Sequence, residues 1–290
     1  MQTDTINNFK EKIFSTKNTI LHSYNPMVMG ILNITPDSFY DGGKYTETKK
    51  ILQQAKKILQ QGAEIIDIGA YSTRPGASDI SEEEELKRLI PIIKLVKTHF
   101  PTALISADTF RAKVAISAID NGANIINDIS GGTLDKNMFA TIAQLKVPYI
   151  LTHIKGTPQN MQSQAHYENI TGEVKHYFTE KLNTLNALGV NEICIDPGFG
   201  FSKTIAHNYE LLNNLSSFKT FKLPLLCGIS RKGMVYKLLE TKPTQALNGT
   251  TVLNTIALMQ GANILRVHDV KAAKEVIKIV NMYQSFQQKK

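Results

Sequence analysis

Carboxylates, amides and cations stand at the ends of short apolar runs in this chain, and their kinds point to a ligand with two different ends. Asn33, Asp67, Asp108, Asn127 with Asp128, His153, Asp196, Ser230 with Lys232, and Arg266 with His268 each close or closely follow such a run. A buried Asp or Asn without a partner is costly, so these groups must pair with one another or with a donor-rich ligand. Asp108, Asn127 and Asp196 are the better ligand readers, whereas Asp67 and Asp128 read first as holders of loops or neighbouring strands. Arg74, Arg231, Lys232, Arg266 and His268 gather on three of the connecting loops. Guanidinium forks there suit phosphate oxygens, so one end of the ligand is expected to be anionic. The acids lack His or Cys partners at zinc-ligand spacing. The chain has no Walker loop, nucleophile elbow or dinucleotide GxGxxG, which removes the usual supports for NTP hydrolysis, serine hydrolysis and Rossmann redox chemistry.

The elements that must position these groups are legible as a repeat. QGAEIIDIG (61–69), NGANIINDIS (121–130), LGVNEICIDPG (188–198) and QGANILRVHD (260–269) each read as a helix end followed by a strand. Gly62, Gly122, Gly189 and Gly261 fall where a left-handed glycine terminates a helix. Four more apolar runs, MVMGILNI (27–34), LISADT (104–109), PYILTH (148–153) and LLCGIS (225–230), bring the strands to eight. Helical spacing fills the gaps, as in Ile51, Leu52, Ala55, Ile58 and Leu59. Ser81 with Glu84 reads as a capping box, and the run Glu82 to Glu85 as first-turn acids rather than a metal site.

Eight apolar strands alternating with helices predict an α/β fold, a single (β/α)8 TIM barrel over residues 26–290, after an extension at 1–25 that forms a strand, cap or arm. In such a barrel the C-terminal strand ends converge on one face and would bring the polar residues together. An open doubly wound sheet is the alternative that pattern alone leaves standing.

Composition agrees with one large folded domain: 290 residues, 42% hydrophobic and 20% charged, with room for a sizeable core. The longest apolar runs fall far short of the roughly twenty residues that span a bilayer. The N-terminus lacks an apolar segment next to its charges, so no membrane association and a cytoplasmic location are expected. The net charge is 33 − 25 = +8, but the basic residues are scattered, which argues against nucleic acid. Cys194 and Cys227 lie inside apolar runs and are expected to be buried, reduced thiols.

The motifs MGILNITPDSFYDGG (29–43), DIGAYSTRPGA (67–77), DTF (108–110), NDIS (127–130), DPGFGF (196–201), GISRK (228–232) and RVHDV (266–270) occur in an order that resembles the dihydropteroate synthase family. The resemblance covers about residues 27–275. It implies a transferase of folate biosynthesis that joins 6-hydroxymethyl-7,8-dihydropterin pyrophosphate to 4-aminobenzoate, releases pyrophosphate, and is the target of sulfonamides. By the same resemblance, Asp108, Asn127, Asp196, Lys232 and Arg266 bind the pterin. Asn33, Arg74, Arg266 and His268 hold the pyrophosphate, with Asn33 the protein ligand of a Mg²⁺ cofactor. Phe39, Thr73, Phe201, Ser230 and Lys232 line the aminobenzoate pocket. The segments 35–44 and 72–78 are expected to close over the site when pyrophosphate and Mg²⁺ bind, and a homodimer is implied. The alternatives are a pterin-dependent methyltransferase and a non-catalytic pterin-binding barrel. Two departures from the family pattern stand out: Ala70-Tyr71 where many relatives carry Gly-Glu, and Ile154 in the fifth strand-end motif.

Overall fold

The computed structural model describes residues 11–16, 19–23, 26–34, 44–71 and 79–287. An antiparallel hairpin, β1 (Glu11–Thr16) and β2 (Thr19–Ser23), comes first. Eight strand-helix units follow: β3 (Met27–Asn33) and α1 (Lys44–Gln60), β4 (Ile65–Gly69) and α2 (Glu82–His99), β5 (Leu104–Asp108) and α3 (Ala112–Asp120), β6 (Ile125–Asp128) and α4 (Met138–Leu145). The second half runs β7 (Tyr149–Thr152) and α5 (Ile170–Ala187), β8 (Ile193–Asp196) and α6 (Ile205–Asn213), β9 (Leu226–Cys227) with α7 (Gly233–Tyr236) and α8 (Leu247–Met259), then β10 (Ile264–Val267) and α9 (Val270–Gln287). Every strand pairing from β3 onward is parallel, in the order β8-β7-β6-β5-β4-β3-β10-β9. A parallel bridge between Ile195 and Leu225 brings β8 beside the approach to β9, so the sheet closes on itself. This is the (β/α)8 barrel, and the open sheet is set aside.

Helix ends follow the local chemistry. Gly62, Gly122, Gly189 and Gly261 have φ of +94°, +108°, +77° and +102°, the left-handed conformation expected after each helix. Ser81 caps α2, its Oγ accepting from the Glu84 N–H at 3.2 Å. The box is only half made, because the Glu84 carboxylate turns to Arg88 at 2.7 Å, one turn further on. A full box does form at α6, between Thr204 and His207.

Two apolar layers hold the barrel. Inside it, Met27 and Met29, Ile65, Leu104, Ile125, Ile150, Cys194, Leu226 and Ile264 form a plug with at least one residue from each of the eight strands. Outside it, Val28, Ile66, Ile105, Ile126, Leu151, Ile195, Cys227 and Leu265 pack under the helices. Each such side chain contributes about 1.5–3 kcal/mol by leaving water. Alternation along each strand separates the layers, since successive side chains point to opposite faces. Cys194 and Cys227 therefore sit in different layers, both buried as free thiols. The helix coat fits closely: a Cβ on Gly30 would lie 2.5 Å from the Ile58 side chain of α1.

Candidate active site

The same alternation builds the mouth of the barrel. Two residues beyond the plug, the inward positions are Asp67 on β4, Ser106 on β5, Asn127 on β6, Asp196 on β8 and Arg266 on β10. Asp108 lies one further inward step up β5. A polar ring thus rests directly on an apolar plug, at the strand ends where barrel sites form.

Arg266 is the centre of the ring. Its Nε donates to Asp67 Oδ2 at 2.6 Å and its Nη2 to Asp108 Oδ2 at 2.7 Å. Asn127 Nδ2 donates to the same Asp67 oxygen at 3.2 Å. Burial disfavours the Arg266 cation, but the two carboxylates outweigh it and hold the guanidinium above its ordinary range. Burial pushes Asp108 up to about 7, with Arg266 opposing the rise and the neighbouring acid Asp67 adding to it. Asp67, read from sequence as a strand holder, does hold Asn127, yet it also fixes the site's arginine.

Asp196 accepts the Gly198 N–H on Oδ1 at 2.8 Å. Burial raises its pKa, against which act Lys232, the Gly198 N–H, Arg266 and Lys203. Lys232 donates to the Phe199 carbonyl, and its Nζ lies 4.3 Å from the centre of the Phe201 ring. Burial draws the Lys232 ammonium down to about 8, countered first by Asp196. Ser230 Oγ lies 3.0 Å from His268 Nδ1 and accepts the His268 backbone N–H at 3.2 Å. Asn33 stands at the rim with its side chain exposed.

Asp128 follows Asn127 in the chain and therefore faces the other way, into the outer layer. There it accepts from Ser130 N and Oγ, both at 2.7 Å, from Gly132 N at 2.8 Å and from Tyr149 OH at 2.6 Å. It is a loop holder, as expected. Arg231 corrects the cation cluster: its Nε and Nη2 grip Asp269 at 3.0 and 2.7 Å, so its fork is already filled. Phe39, Thr73 and Arg74, with the segments 35–43 and 72–78, lie outside the described residues.

Three functional supports escaped the sequence reading. Glu85, expected to be an ordinary first-turn acid, is fully buried and pairs with Arg111, whose Nη2 also donates to the Ile80 carbonyl at 2.6 Å. This ties the start of α2 to the loop after Asp108. Tyr71, one of the two departures, donates to Asp79 at 3.0 Å, accepts from Gln159 at 2.6 Å and packs edge-on to Phe110 at 5.0 Å. The other departure, Ile154, is buried and keeps its wall apolar. Lys203 is the third: it is 3% exposed and contacts His153 Nδ1 at 2.9 Å. The available signal was its place between a Gly-rich turn and the Thr204 helix cap. A wide cleft of about 880 Å³ opens beside the mouth, lined by residues such as Lys155, Tyr167, Glu173 and His207. Its walls are the loop after β7 and the starts of α5 and α6, not the inward strand positions.

With this geometry in place, comparison with known proteins is informative. A family profile described as pterin binding enzyme matches residues 29–268. A dihydropteroate synthase of Escherichia coli strain K12 is 41% identical over 281 residues, covering 96% of this chain and 99% of that protein. The structure of a Yersinia pestis dihydropteroate synthase with a sulfonamide drug complex superimposes with a TM-score of 0.87 at 41% identity, covering 93% of this chain and 98% of that one. A Xanthomonas albilineans dihydropteroate synthase with 4-aminobenzoic acid gives a TM-score of 0.86 at 34% identity, covering 96% and 99%.

Proposed function

The chain belongs to the pterin-binding enzyme family, among its dihydropteroate synthases, and on that premise we propose how its barrel mouth joins the dihydropterin pyrophosphate to 4-aminobenzoate. One juxtaposition carries the reading: Asp196, Asn127 and Asp108 converge on one polar ring with Arg266 at its centre and Lys232 beside it.

A pterin presents an amino group and a ring N–H side by side, which a carboxylate accepts as a pair. Asp196 serves that edge, with Asn127 and Asp108 reading the remainder, while Lys232 donates to the pterin carbonyl side. Arg266 lies against the ring and reaches phosphate. Arg74, His268 and Asn33 complete the anion end. Phe201 and Ser230, with Phe39, Thr73 and the Lys232 stem, form the aminobenzoate pocket, whose hydroxyl and backbone donors suit a carboxylate.

The arylamine is unprotonated at neutral pH, so the chemistry asks little of a base. The hard step is departure of pyrophosphate: the bond from the exocyclic methylene to oxygen breaks, a bond from nitrogen to that carbon forms, and the nitrogen releases its proton to solvent. Fixed cations near the leaving oxygens stabilise the developing charge. The ionised Asp108 supplies negative potential beside the electron-rich dihydropterin, which favours ionisation before attack. Asn33 offers a hard carboxamide oxygen at the exposed rim, a donor that fits Mg²⁺, an ion that takes few protein ligands. Bound there, Mg²⁺ would neutralise pyrophosphate oxygens.

A homodimer is part of the proposal. Leu239 just after α7, Val252 on α8, and Ile279, Met282 and Tyr283 on α9 are 53%, 51%, 68%, 64% and 55% exposed, and α8 packs directly on α9. Apolar groups of this number on adjoining elements favour burial against a second copy. Among the described residues no helix is long and apolar enough to cross a membrane. A cytoplasmic location is supported by the two buried, unpaired cysteines. Mixing the protein with the dihydropterin pyrophosphate, 4-aminobenzoate and Mg²⁺ should yield dihydropteroate and pyrophosphate in equal amounts. Formation of neither product would refute the proposal.

A further inference from the structure

The ladder between β9 and β10 stops short of the site. Leu226 pairs with Ile264 and Cys227 with Leu265, whereas Ser230 and His268 come three residues later on their loops. Strand pairing therefore does not set the spacing of these two groups. They meet through the Ser230 hydroxyl, whose Oγ lies 3.0 Å from His268 Nδ1 and accepts the His268 backbone N–H at 3.2 Å. The next residue on each loop makes a second rung: Arg231 Nε and Nη2 donate to Asp269 Oδ2 and Oδ1 at 3.0 and 2.7 Å. Asp269 immediately precedes α9, and its carbonyl accepts the Ala273 N–H at 3.2 Å, so this rung ends on the start of a helix.

The backbone at Arg231 is unusual for its residue type. Its φ is +56°, a left-handed conformation that glycine adopts far more readily. Arg231 is the third residue of a turn closed by the Lys232 N–H on the Ile229 carbonyl at 3.1 Å. Its own N–H donates to the hydroxyl of the buried Thr250 on α8 at 3.2 Å. A non-glycine residue keeps such a backbone where its surroundings over-determine it, and such residues gather at functional sites. If the turn alone mattered, glycine would serve better here, and what glycine lacks is the fork. Exposed ion pairs contribute little as a rule, but a two-pronged contact between guanidinium and carboxylate fixes angle as well as distance.

We propose that Arg231 is a positioning residue for 4-aminobenzoate: its bidentate pair with Asp269 holds the loop after β9 in register with the loop after β10, so that Ser230 meets His268 and presents its hydroxyl to the aminobenzoate carboxylate. Arg231 acts through Ser230 and not on the substrate, because Nε and Nη2 are both turned to Asp269. This rests on the reading of Ser230 as an aminobenzoate contact. Without the pair, the loops above the last ladder rung lose the contact that fixes their relative height, and the aminobenzoate pocket suffers before the pterin pocket.

The test is the KM for 4-aminobenzoate, at saturating dihydropterin pyrophosphate and Mg²⁺, in full-length Arg231→Gly, Asp269→Asn and the double variant, with folding followed by circular dichroism. Gly relieves the left-handed backbone while deleting the fork, and Asn keeps the shape of Asp269 without its charge. Arg231→Lys, which keeps the charge but not the fork, takes the place of the Gly variant if that one does not fold. Each single substitution should raise KM by about tenfold with a smaller change in kcat, and the double should be no worse than the worse single, because both remove one shared contact. Binding of 6-hydroxymethyl-7,8-dihydropterin, which lacks the anion, should stay at the wild-type level, since Asp108, Asn127 and Asp196 lie on other strands. An equal loss of that binding would point to general loosening and would overturn the proposal. Additive losses would mean that Arg231 meets substrate independently of Asp269, and they would overturn it too, as would a wild-type KM in folded Asp269→Asn. A wild-type KM in Ser230→Ala would instead overturn the reading of Ser230, which keeps the two failures distinct.

Discussion

Arg266 Nη2 donates to Asp108 Oδ2 at 2.7 Å, joining the last barrel strand to the third across 158 positions of sequence. The same guanidinium holds Asp67 through Nε, so one cation pairs with two acids before any substrate arrives. Pterin binding must share or displace these contacts, and the first predictions follow from that.

Arg266→Ala should lose both stability and catalysis. It leaves the fully buried Asp67 with the Asn127 amide but no counter-charge and Asp108 short of a partner, and breaking a buried pair from one side costs about 3–5 kcal/mol. A thermal melt and a kcat/KM measurement should show the two losses together, and an unchanged melt would contradict the ion-pair account.

His268→Ala should spare the fold and weaken capture of the pyrophosphate substrate by about 1.5–3 kcal/mol, the value of one charge-assisted contact. Steady-state kinetics with the dihydropterin pyrophosphate varied give the answer. A wild-type kcat/KM would remove His268 from the anion site.

Asp196→Asn replaces one acceptor oxygen by a donor and sets donor against donor at the pterin edge. Pterin affinity should collapse while far-UV circular dichroism is retained. Calorimetry that detects wild-type binding by the folded variant would refute the assignment.

Asp108 gives a pH signature. With its folded pKa near 7 and a usual value of 3.8, the native state binds the extra proton, so this group's contribution to stability falls as pH rises between those values. Activity runs the other way: if the ionised form is the competent one, kcat/KM should decline as pH drops through about 7. Asp108→Asn should flatten the stability slope, and a slope identical to wild type would show that another group titrates.

Aminobenzoate should bind poorly to the free enzyme and well once pyrophosphate and Mg²⁺ are present, because its proposed contacts Phe39 and Thr73 stand close in sequence to Asn33 and Arg74, the proposed holders of the anion. Sulfonamides, which copy its shape, should follow. Equal affinities with and without pyrophosphate would mean that the pocket is complete without the anion.

The repeat of helix end and strand was legible in the chain alone because its causes are local. Apolar periodicity and a glycine free to take positive φ act within a few residues, as at Gly122 and Gly261. The same holds for the kinds of group at the strand ends, and for the motifs that carry the family resemblance. What local pattern could not decide is which way each group faces and whom it meets. Asn127 and Asp128 are neighbours in sequence, yet the pleat sends one into the mouth and the other under the helices to Tyr149. Arg231 and Lys232 divide similarly, the first held by Asp269 and the second lying over Phe201. Glu85 looked like any first-turn acid until the packing of α2 buried it against Arg111, and Lys203, which no motif singled out, is buried where its own turn closes around it. Closure of the barrel settles these questions, because it alone brings Arg266 to an acid 199 positions away and fixes which alternate side chains share the water-poor interior.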